Sequence, residues 1–188
     1  MLITFSGKSC SGKSNLAKFL ASTNNLAYLS IDEIGHKVVN EEQIKNKICE
    51  AFNIPIEYFT RKKLSEIVFN NKEKMDILTD ITWARMQEHI DEFISKNENV
   101  ILDWILMPKS KYFEMADINF LIDVPFEERL KRAIERDGIS EEKFLERESA
   151  SFDYSSTSFD YIVSNKDFEI AKSEILKDYE EKMSEKGA

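Results

Sequence analysis

The chain has 188 residues, of which 42% are hydrophobic and 32% are charged, and its formal net charge is −9. This length and composition predict one compact globular domain and exclude a disordered chain. The acidic balance without a basic run predicts no nucleic-acid partner, and the lack of any stretch near ~18 consecutive apolar residues predicts no membrane span.

Five short apolar runs predict β-strands, at residues 2–6, 27–31, 100–103, 119–124 and 161–163. Apolar residues at helical spacing lie between or after them, most clearly over residues 72–96 and 169–183. Buried strands that alternate with amphipathic helices indicate βαβ units. We therefore predict an α/β fold in three layers, with a five-stranded and mostly parallel sheet.

The spacing of these runs also predicts how the chain is organised. About seventy residues separate the second and third strands, and nearly all of them have a helical pattern. We predict a core of about 1–39, 98–125 and 159–188, with a helical insertion at about 40–97 where an acceptor would bind. Residues 126–158 contain two helical patterns and a Ser/Thr-rich run, interpreted either as a mobile connection or as a small lid.

The sequence GKSCSGKS, at residues 7–14, fits the phosphate-loop pattern G-x-x-x-x-G-K-[S/T] in full. Glycines at positions 7 and 12 let backbone N–H groups wrap a phosphate, and the following helix N-terminus favours negative charge. Lys13 is expected to reach the β- and γ-phosphates of ATP, and Ser14 to ligate Mg²⁺. The other residues of the predicted nucleotide site in this segment are Gly7, Ser9, Cys10, Ser11, Gly12 and Asn15.

Two aspartates follow predicted strands. Asp103 ends the run VILD, the pattern by which a buried strand brings an acid to the metal beside a phosphate loop. Asp32 follows the second strand, at the carboxyl end where ligands bind in open α/β sheets. We predict that Asp103 binds Mg²⁺ and contacts the substrate, and that Asp32 is the catalytic group for the acceptor hydroxyl. The structural alternative for each is a helix N-cap.

Three arginines, Arg129, Arg132 and Arg136, share one face of the helix predicted after residue 126. Arg132 and Arg136 lie nearer the end of that helix. We predict that these two clamp phosphoryl oxygens and stabilise their charge during transfer, which makes them catalytic candidates. Arg129 is interpreted as part of a solvated face, paired with the glutamates at 127, 128 and 135.

The order of these elements and several short motifs resemble the dephospho-coenzyme A kinase family. IDEIGHKVV is similar to the family's D-x-D-x-I-A-[H/R]-x-V, FTRKKLSEIVF to its R-x-x-L-x-x-x-V-F, and FDYIVSN to its final strand. The resemblance implies a P-loop kinase fold that transfers phosphate from ATP, with Mg²⁺, to the ribose 3′-hydroxyl of dephospho-coenzyme A. It also implies that Asp32, His36 and Arg61 contact the acceptor and that Asn165 lies near the adenine.

The acceptor side departs from the family pattern. Ser30 stands at the family's first acid, and Trp83 and Ala84 stand at its His-Pro pair. The positions of P-L-L-x-E, at 105–109, are altered, as are those of the lid motif Q-x-x-R-x-x-R, which falls roughly on Ser149, Phe152 and Ser155.

Two alternatives therefore stay open. One is a nucleoside or nucleotide kinase of similar fold, with a nucleoside-like acceptor. The other is a nucleotide-binding regulator without phosphate transfer, which is disfavoured because no D-x-x-G follows VILD. The run NKDF lacks the acid of a guanine-reading N-K-x-D, and this predicts ATP over GTP.

Cys10 and Cys49 are the only cysteines and form no C-x-x-C pair. We therefore expect free thiols in a reducing cytoplasm. The expected partner is a small-molecule acceptor, with no nucleic acid and no membrane, and the protein is expected to be a monomer or a small homo-oligomer.

Overall fold

The computed structural model describes residues 1–69, 71–149 and 151–187. The chain divides into two compact units, Met1–Ser30 with Asn97–Ala188, and Ile31–Lys96. We call the first the sheet unit and the second the helical unit. The helical unit begins earlier than the predicted boundary near residue 40, because the helix that starts at Ile31 packs within it.

The sheet unit contains five strands in the order β2-β3-β1-β4-β5, and all four neighbouring pairs are parallel. The strands are β1 (Leu2–Ser6), β2 (Ala27–Ser30), β3 (Val100–Asp103), β4 (Ile118–Asp123) and β5 (Tyr161–Ser164). The predicted α/β fold with a five-stranded parallel sheet is confirmed. The prediction extended β2 through Ile31, which instead is the buried first residue of a helix.

Helices pack against this sheet and position its carboxyl edge. The helices of the sheet unit are α1 (Lys13–Asn24), α6 (Lys111–Met115), α7 (Phe126–Asp137), α8 (Glu141–Ser149) and α9 (Phe168–Gly187), which take their numbers from chain order. α1 contacts β1, β2 and β3, and α9 contacts both α1 and β5. α7 and α8 pack on each other around Leu130, Ala133 and Phe144.

The core of the sheet unit is a row of aromatic rings beneath α1 and α9. Phe5, Phe120 and Tyr161 come from the neighbouring strands β1, β4 and β5, and their ring centroids are 5.0 and 5.4 Å apart. Phe5 and Phe120 have no exposed surface, and they belong to one buried cluster with Leu16 and Leu20 of α1. This packing fixes the strand ends from which the site is built.

In the helical unit, three helices pack on one long helix. They are α2 (Ile31–Val38), α3 (Glu42–Ala51) and α4 (Arg61–Val68), and the long helix is α5 (Lys72–Lys96). α5 has the bounds that its apolar spacing predicts, and Met86 and Ile90 lie on its buried face. In the parts of the chain that the structure describes, no helix combines the length and apolarity that a bilayer crossing needs.

The aromatic row predicts a strong dependence of stability on its central ring. We expect Phe120→Ala to lower the free energy of unfolding by about 3–5 kcal/mol, because it removes a fully buried ring and leaves a cavity. Ile162→Ala is the control, since Ile162 is 61% exposed on β5. Urea denaturation measures both variants, and equal losses in the two would contradict this account of the core.

Candidate active site

The loop between β1 and α1, residues 7–12, requires glycine at both of its ends. Gly12 has a φ of +83°, and a Cβ there would collide with the side-chain nitrogen of Asn165. A Cβ on Gly7 would lie 2.7 Å from the carbonyl oxygen of Ile122. The two glycines of the motif therefore let the loop approach β4 and the residue after β5 more closely than any side chain would allow.

α1 begins at the end of this loop and directs its N-terminus toward it. Gly12 precedes the helix, and no side chain in the described ranges caps it. The first N–H groups of a helix without such a cap are donors for an anion, and the helix dipole favours negative charge there. A cavity of about 170 Å³ lies at this point, lined by residues 8–15 and by Arg136. The arrangement suits phosphate groups.

Lys13 is held by a buried carboxylate. Its Nζ atom lies 3.2 Å from Oδ1 of Asp103, and the hydroxyl of Tyr28 donates to Oδ2 of the same carboxylate at 2.8 Å. Asp103 is only 1% exposed, so the ammonium compensates a charge that would be costly to bury alone. Asp103 is the last residue of β3, and the next helical turn, Met107–Lys109, has Leu106 as its N-cap, so Asp103 is not a helix cap.

Ser14 and Asp103 supply oxygen atoms, the donors that Mg²⁺ prefers. Oδ1 of Asp103 has the ion pair with Lys13 but no hydrogen bond from any described residue. Among the described residues, no group of three or more His, Cys, Asp or Glu is placed to hold a metal ion. The donor set therefore fits a metal bound largely by phosphate oxygens and water, as Mg²⁺ is in nucleotide sites.

A larger cavity of about 540 Å³ adjoins the loop. Its size falls within the range of small-molecule sites. Its lining residues come from the loop, from the first turn of α1, from α7 and from the chain after β5: Cys10, Gly12, Asn15, Arg132, Glu135, Arg136, Asn165, Lys166 and Phe168. Three predicted groups, the loop, the two lid arginines and Asn165, are thus brought together. Lys166, Glu135 and Phe168 were not predicted to line a site: Lys166 and Phe168 belong to the run NKDF, which was considered only for guanine, and Glu135 was interpreted as part of a solvated face.

Asn165 and Arg132 hold the second half of the loop. The side-chain amide of Asn165 donates to the carbonyl of Ser11 at 2.7 Å, and Arg132 donates to the carbonyl of Asn165 at 2.6 Å and to that of Ser11 at 3.5 Å. Asn165 is 3% exposed, and its Oδ1 atom has no hydrogen-bond partner among the described residues.

Arg136 lies over the middle of the loop. Its Nη2 atom is 3.5 Å from Sγ of Cys10, and its guanidinium is paired with the carboxylate of Asp137. The hydrogen bond that Arg136 donates to that carboxylate raises the pKa of Arg136, which keeps it a cation. Because Arg136 lines both cavities, its charge faces the space where phosphate groups would lie.

Arg129 is not part of a solvated face, so its interpretation from the sequence was wrong. It is 3% exposed, and it donates through Nε to the carbonyl of Val124 at 3.0 Å. Its two terminal nitrogens donate to the two carboxylate oxygens of Glu148, at 2.7 and 2.8 Å. The glutamates at 127, 128 and 135 lie on its own helix, whereas the true partner belongs to α8.

Two contacts that the sequence did not indicate reach the first half of the loop. Glu148 also accepts a hydrogen bond from Nζ of Lys8 at 2.7 Å. The hydroxyl of Tyr154 accepts from the amide of Gly7 at 3.1 Å and donates to the carbonyl of Ile105 at 2.6 Å. Tyr154 belongs to the Ser/Thr-rich run, which at this residue is tied to the sheet unit.

In the helical unit, the predicted acceptor residues lie on two helices. Asp32 is in the first turn of α2 and His36 in its last turn. Asp32 is the second residue of the helix, so the N-cap alternative is wrong for it too. Arg61 is the exposed first residue of α4, whose N-cap is Thr60.

A separate cavity of about 570 Å³ lies within the helical unit. Arg85 there pairs with Glu41 at 2.6 Å and with Glu88 at 2.7 Å. Ala84, which stands at the family's His-Pro pair, also lines this cavity. Because acidic groups offset the cations of this cavity, its charge does not favour binding of a phosphate group.

The pKa of Glu148 predicts a pH-dependent contribution to stability. Hydrogen bonds from Arg129, with a smaller contribution from Lys8, lower this pKa from 4.5 to about 2. A carboxyl group with a lowered pKa in the folded state stabilises it above the unfolded pKa, and this stabilisation is lost as the pH falls through the folded pKa. We therefore expect Glu148→Gln to be less stable than the wild type at pH 7, and the difference to shrink between pH 4.5 and 2.

Denaturation midpoints measured at several pH values test this expectation. Glu146→Gln is the matched control, because Glu146 is exposed on the same helix. If the difference in unfolding free energy between Glu148→Gln and the wild type stays constant from pH 7 down to pH 3, the ion pairs of Glu148 contribute nothing to stability.

Comparisons with known proteins find dephospho-CoA kinases among the relatives of this chain. The family model described as Dephospho-CoA kinase matches residues 1–168. A dephospho-CoA kinase of Fusobacterium nucleatum is 31% identical over 148 residues, which cover 76% of each chain. The solved dephospho-CoA kinase of Campylobacter jejuni is 25% identical and superposes with a TM-score of 0.62, over 96% of each chain.

A solved protein from Thermus thermophilus has the same fold, with a TM-score of 0.83 at 23% identity over 94% of each chain. The family model spans the phosphate loop, the helical unit and the asparagine after β5. The chain therefore belongs to the dephospho-CoA kinase family.

Proposed function

We propose that this chain transfers the γ-phosphoryl group of ATP to the ribose 3′-hydroxyl of dephospho-coenzyme A, which gives coenzyme A. The observation that carries the proposal is the complete phosphate loop, with Lys13 held at 3.2 Å by the buried Asp103, in a member of this family. The proposal includes Mg²⁺ as cofactor and the cytoplasm as location. That the protein is a monomer or a small homo-oligomer remains a prediction.

The positive groups around the loop account for the phosphoryl chemistry. The N-terminus of α1, Lys13, Arg132 and Arg136 each line one or both cavities at the loop, so in this proposal they would surround the phosphate groups and meet the negative charge that spreads over the transferred group. Ser14 and Asp103 are the residues that would hold Mg²⁺, which would supply positive charge to neutralise the phosphate oxygens. Asn165 is proposed to lie at the adenine edge.

The acceptor residues are proposed on the resemblance of the segments that contain them. Asp32 would orient the 3′-hydroxyl and accept its proton, while His36 and Arg61 would contact the rest of the acceptor. The transition state of phosphoryl transfer is loose, so orientation of the hydroxyl contributes together with proton removal.

The proposed activity is tested by measuring ADP formation with dephospho-coenzyme A and with a panel of nucleosides and nucleotides. We expect turnover with dephospho-coenzyme A, with the new phosphate on the ribose 3′-oxygen by ³¹P NMR and mass spectrometry. Preferential turnover of a nucleoside would replace the acceptor in this proposal. Nucleotide binding without turnover of any acceptor would instead support the regulator.

Lys13→Ala should lower the turnover rate per folded molecule by at least about 10²-fold, because one preorganised donor to developing charge is lost. It also leaves Asp103 buried without its cation, which destabilises the fold. The companion variant Lys13→Ala with Asp103→Asn removes that uncompensated charge. Lys131→Ala, on the exposed side of α7, is the control. Near-normal turnover of folded Lys13→Ala would remove Lys13 from the mechanism.

Asp32→Asn should lower the single-turnover rate by roughly 10²-fold, the usual contribution of a positioned base, with ATP affinity little changed. If Asp32 only stabilises α2 through its charge near the positive end of the helix dipole, the variant loses about 0.3–1 kcal/mol of unfolding free energy. Its single-turnover rate per folded molecule then stays normal. Glu33→Gln is the matched control, since Glu33 lies in the same turn. Melting temperature and single-turnover rate measured on one sample decide between the two roles.

A further inference from the structure

The first half of the phosphate loop is held by side chains that lie far from it in sequence. The hydroxyl of Tyr154 accepts from the Gly7 amide at 3.1 Å and donates to the Ile105 carbonyl at 2.6 Å. Ile105 comes two residues after Asp103, which is paired with Lys13. One hydroxyl therefore connects the start of the loop with the chain that follows the buried carboxylate.

The ring of Tyr154 is itself fixed, so its hydroxyl has a defined position. It packs edge to face on Phe152 and Phe159, with ring centroids 5.0 and 5.8 Å away. Phe159 in turn packs edge to face on Phe113 of α6, at 5.3 Å. These rings orient the tyrosine without any contact to the phosphate-binding cavity.

Glu148 holds the next residue of the loop. It binds Nζ of Lys8 at 2.7 Å while both of its oxygens accept from the buried Arg129. Arg129 is anchored through Nε to the carbonyl of Val124, and its Nη1 atom also lies 3.5 Å from the carbonyl of Ser9. Glu148, near the end of α8, thus restrains Lys8 through an ion pair. Arg129, near the start of α7, restrains Ser9 through a hydrogen bond.

We propose that Tyr154 and Glu148 are positioning residues for nucleotide binding, which keep Gly7, Lys8 and Ser9 in the shape that accepts phosphate groups. The inference rests on the proposed use of ATP, but not on the identity of the acceptor. A loop that is ordered before binding loses less conformational freedom when the nucleotide arrives. Neither side chain need touch the nucleotide to act in this way.

The test uses Tyr154→Phe, which keeps the ring contacts and removes only the hydroxyl. We expect the Kd of Mg-ADP, measured by calorimetry, and the KM for ATP to rise about tenfold, equivalent to ~1.4 kcal/mol. The kcat should stay within about twofold, because the bound nucleotide orders the loop again. Tyr161→Phe is the control, since the Tyr161 ring stacks on Phe120 in the core.

Glu148→Gln provides an independent second variant, with Glu146→Gln as its matched control. It should raise the Kd of Mg-ADP about as much as Tyr154→Phe does, and hydrogen exchange of the loop peptide should become faster in both variants. An unchanged Kd in folded Tyr154→Phe and Glu148→Gln would overturn the proposal. A lower kcat at unchanged KM and Kd would likewise overturn it, because that result indicates a smaller active fraction. Since Mg-ADP binding needs no acceptor, failure of the dephospho-coenzyme A assay would leave this test intact.

Discussion

The ion pair between Lys13 and the buried Asp103 is the constraint around which the sheet unit is arranged. A carboxylate with 1% exposure at the end of the interior strand β3 needs a cation, and the first residue of α1 supplies it. This pairing fixes α1 beside β3 and so determines where the preceding loop must run. The glycines at 7 and 12 then follow from the limited space that remains next to Ile122 and Asn165.

The loop is restrained from both sides by different parts of the chain. Asn165 and Arg132 bind the carbonyl of Ser11, while Tyr154 and Glu148 bind Gly7 and Lys8. These contacts use backbone groups or the side chain at a variable motif position. The groups that would meet phosphate, which are the helix N-terminus and Lys13, remain directed at the cavity. Structural support and ligand binding are thus divided among different atoms of one short loop.

Local sequence was sufficient for the sheet, the long helix α5 and the phosphate loop, because each depends on a periodic or contiguous pattern. It also predicted that Arg132 and Arg136 bind phosphoryl groups, while the family resemblance implied that Asn165 lies near the adenine, and the structure brings all three to one cavity. It failed for Arg129, whose partner Glu148 is on another helix, and it gave no sign of Tyr154, which lies 147 positions from Gly7. Pairings of that kind depend on tertiary packing, and no spacing rule within a helix or strand can reveal them.

The helical unit is one continuous stretch, Ile31–Lys96, which interrupts the chain between the neighbouring strands β2 and β3. The contacts described here for the phosphate loop come from residues outside that stretch. Substitutions inside it therefore need not disturb the contacts that hold the phosphate loop. The altered positions Trp83 and Ala84 lie inside that stretch and so are separated from the contacts that hold the loop, whereas the altered positions at 105–109 and at Ser149, Phe152 and Ser155 belong to the sheet unit.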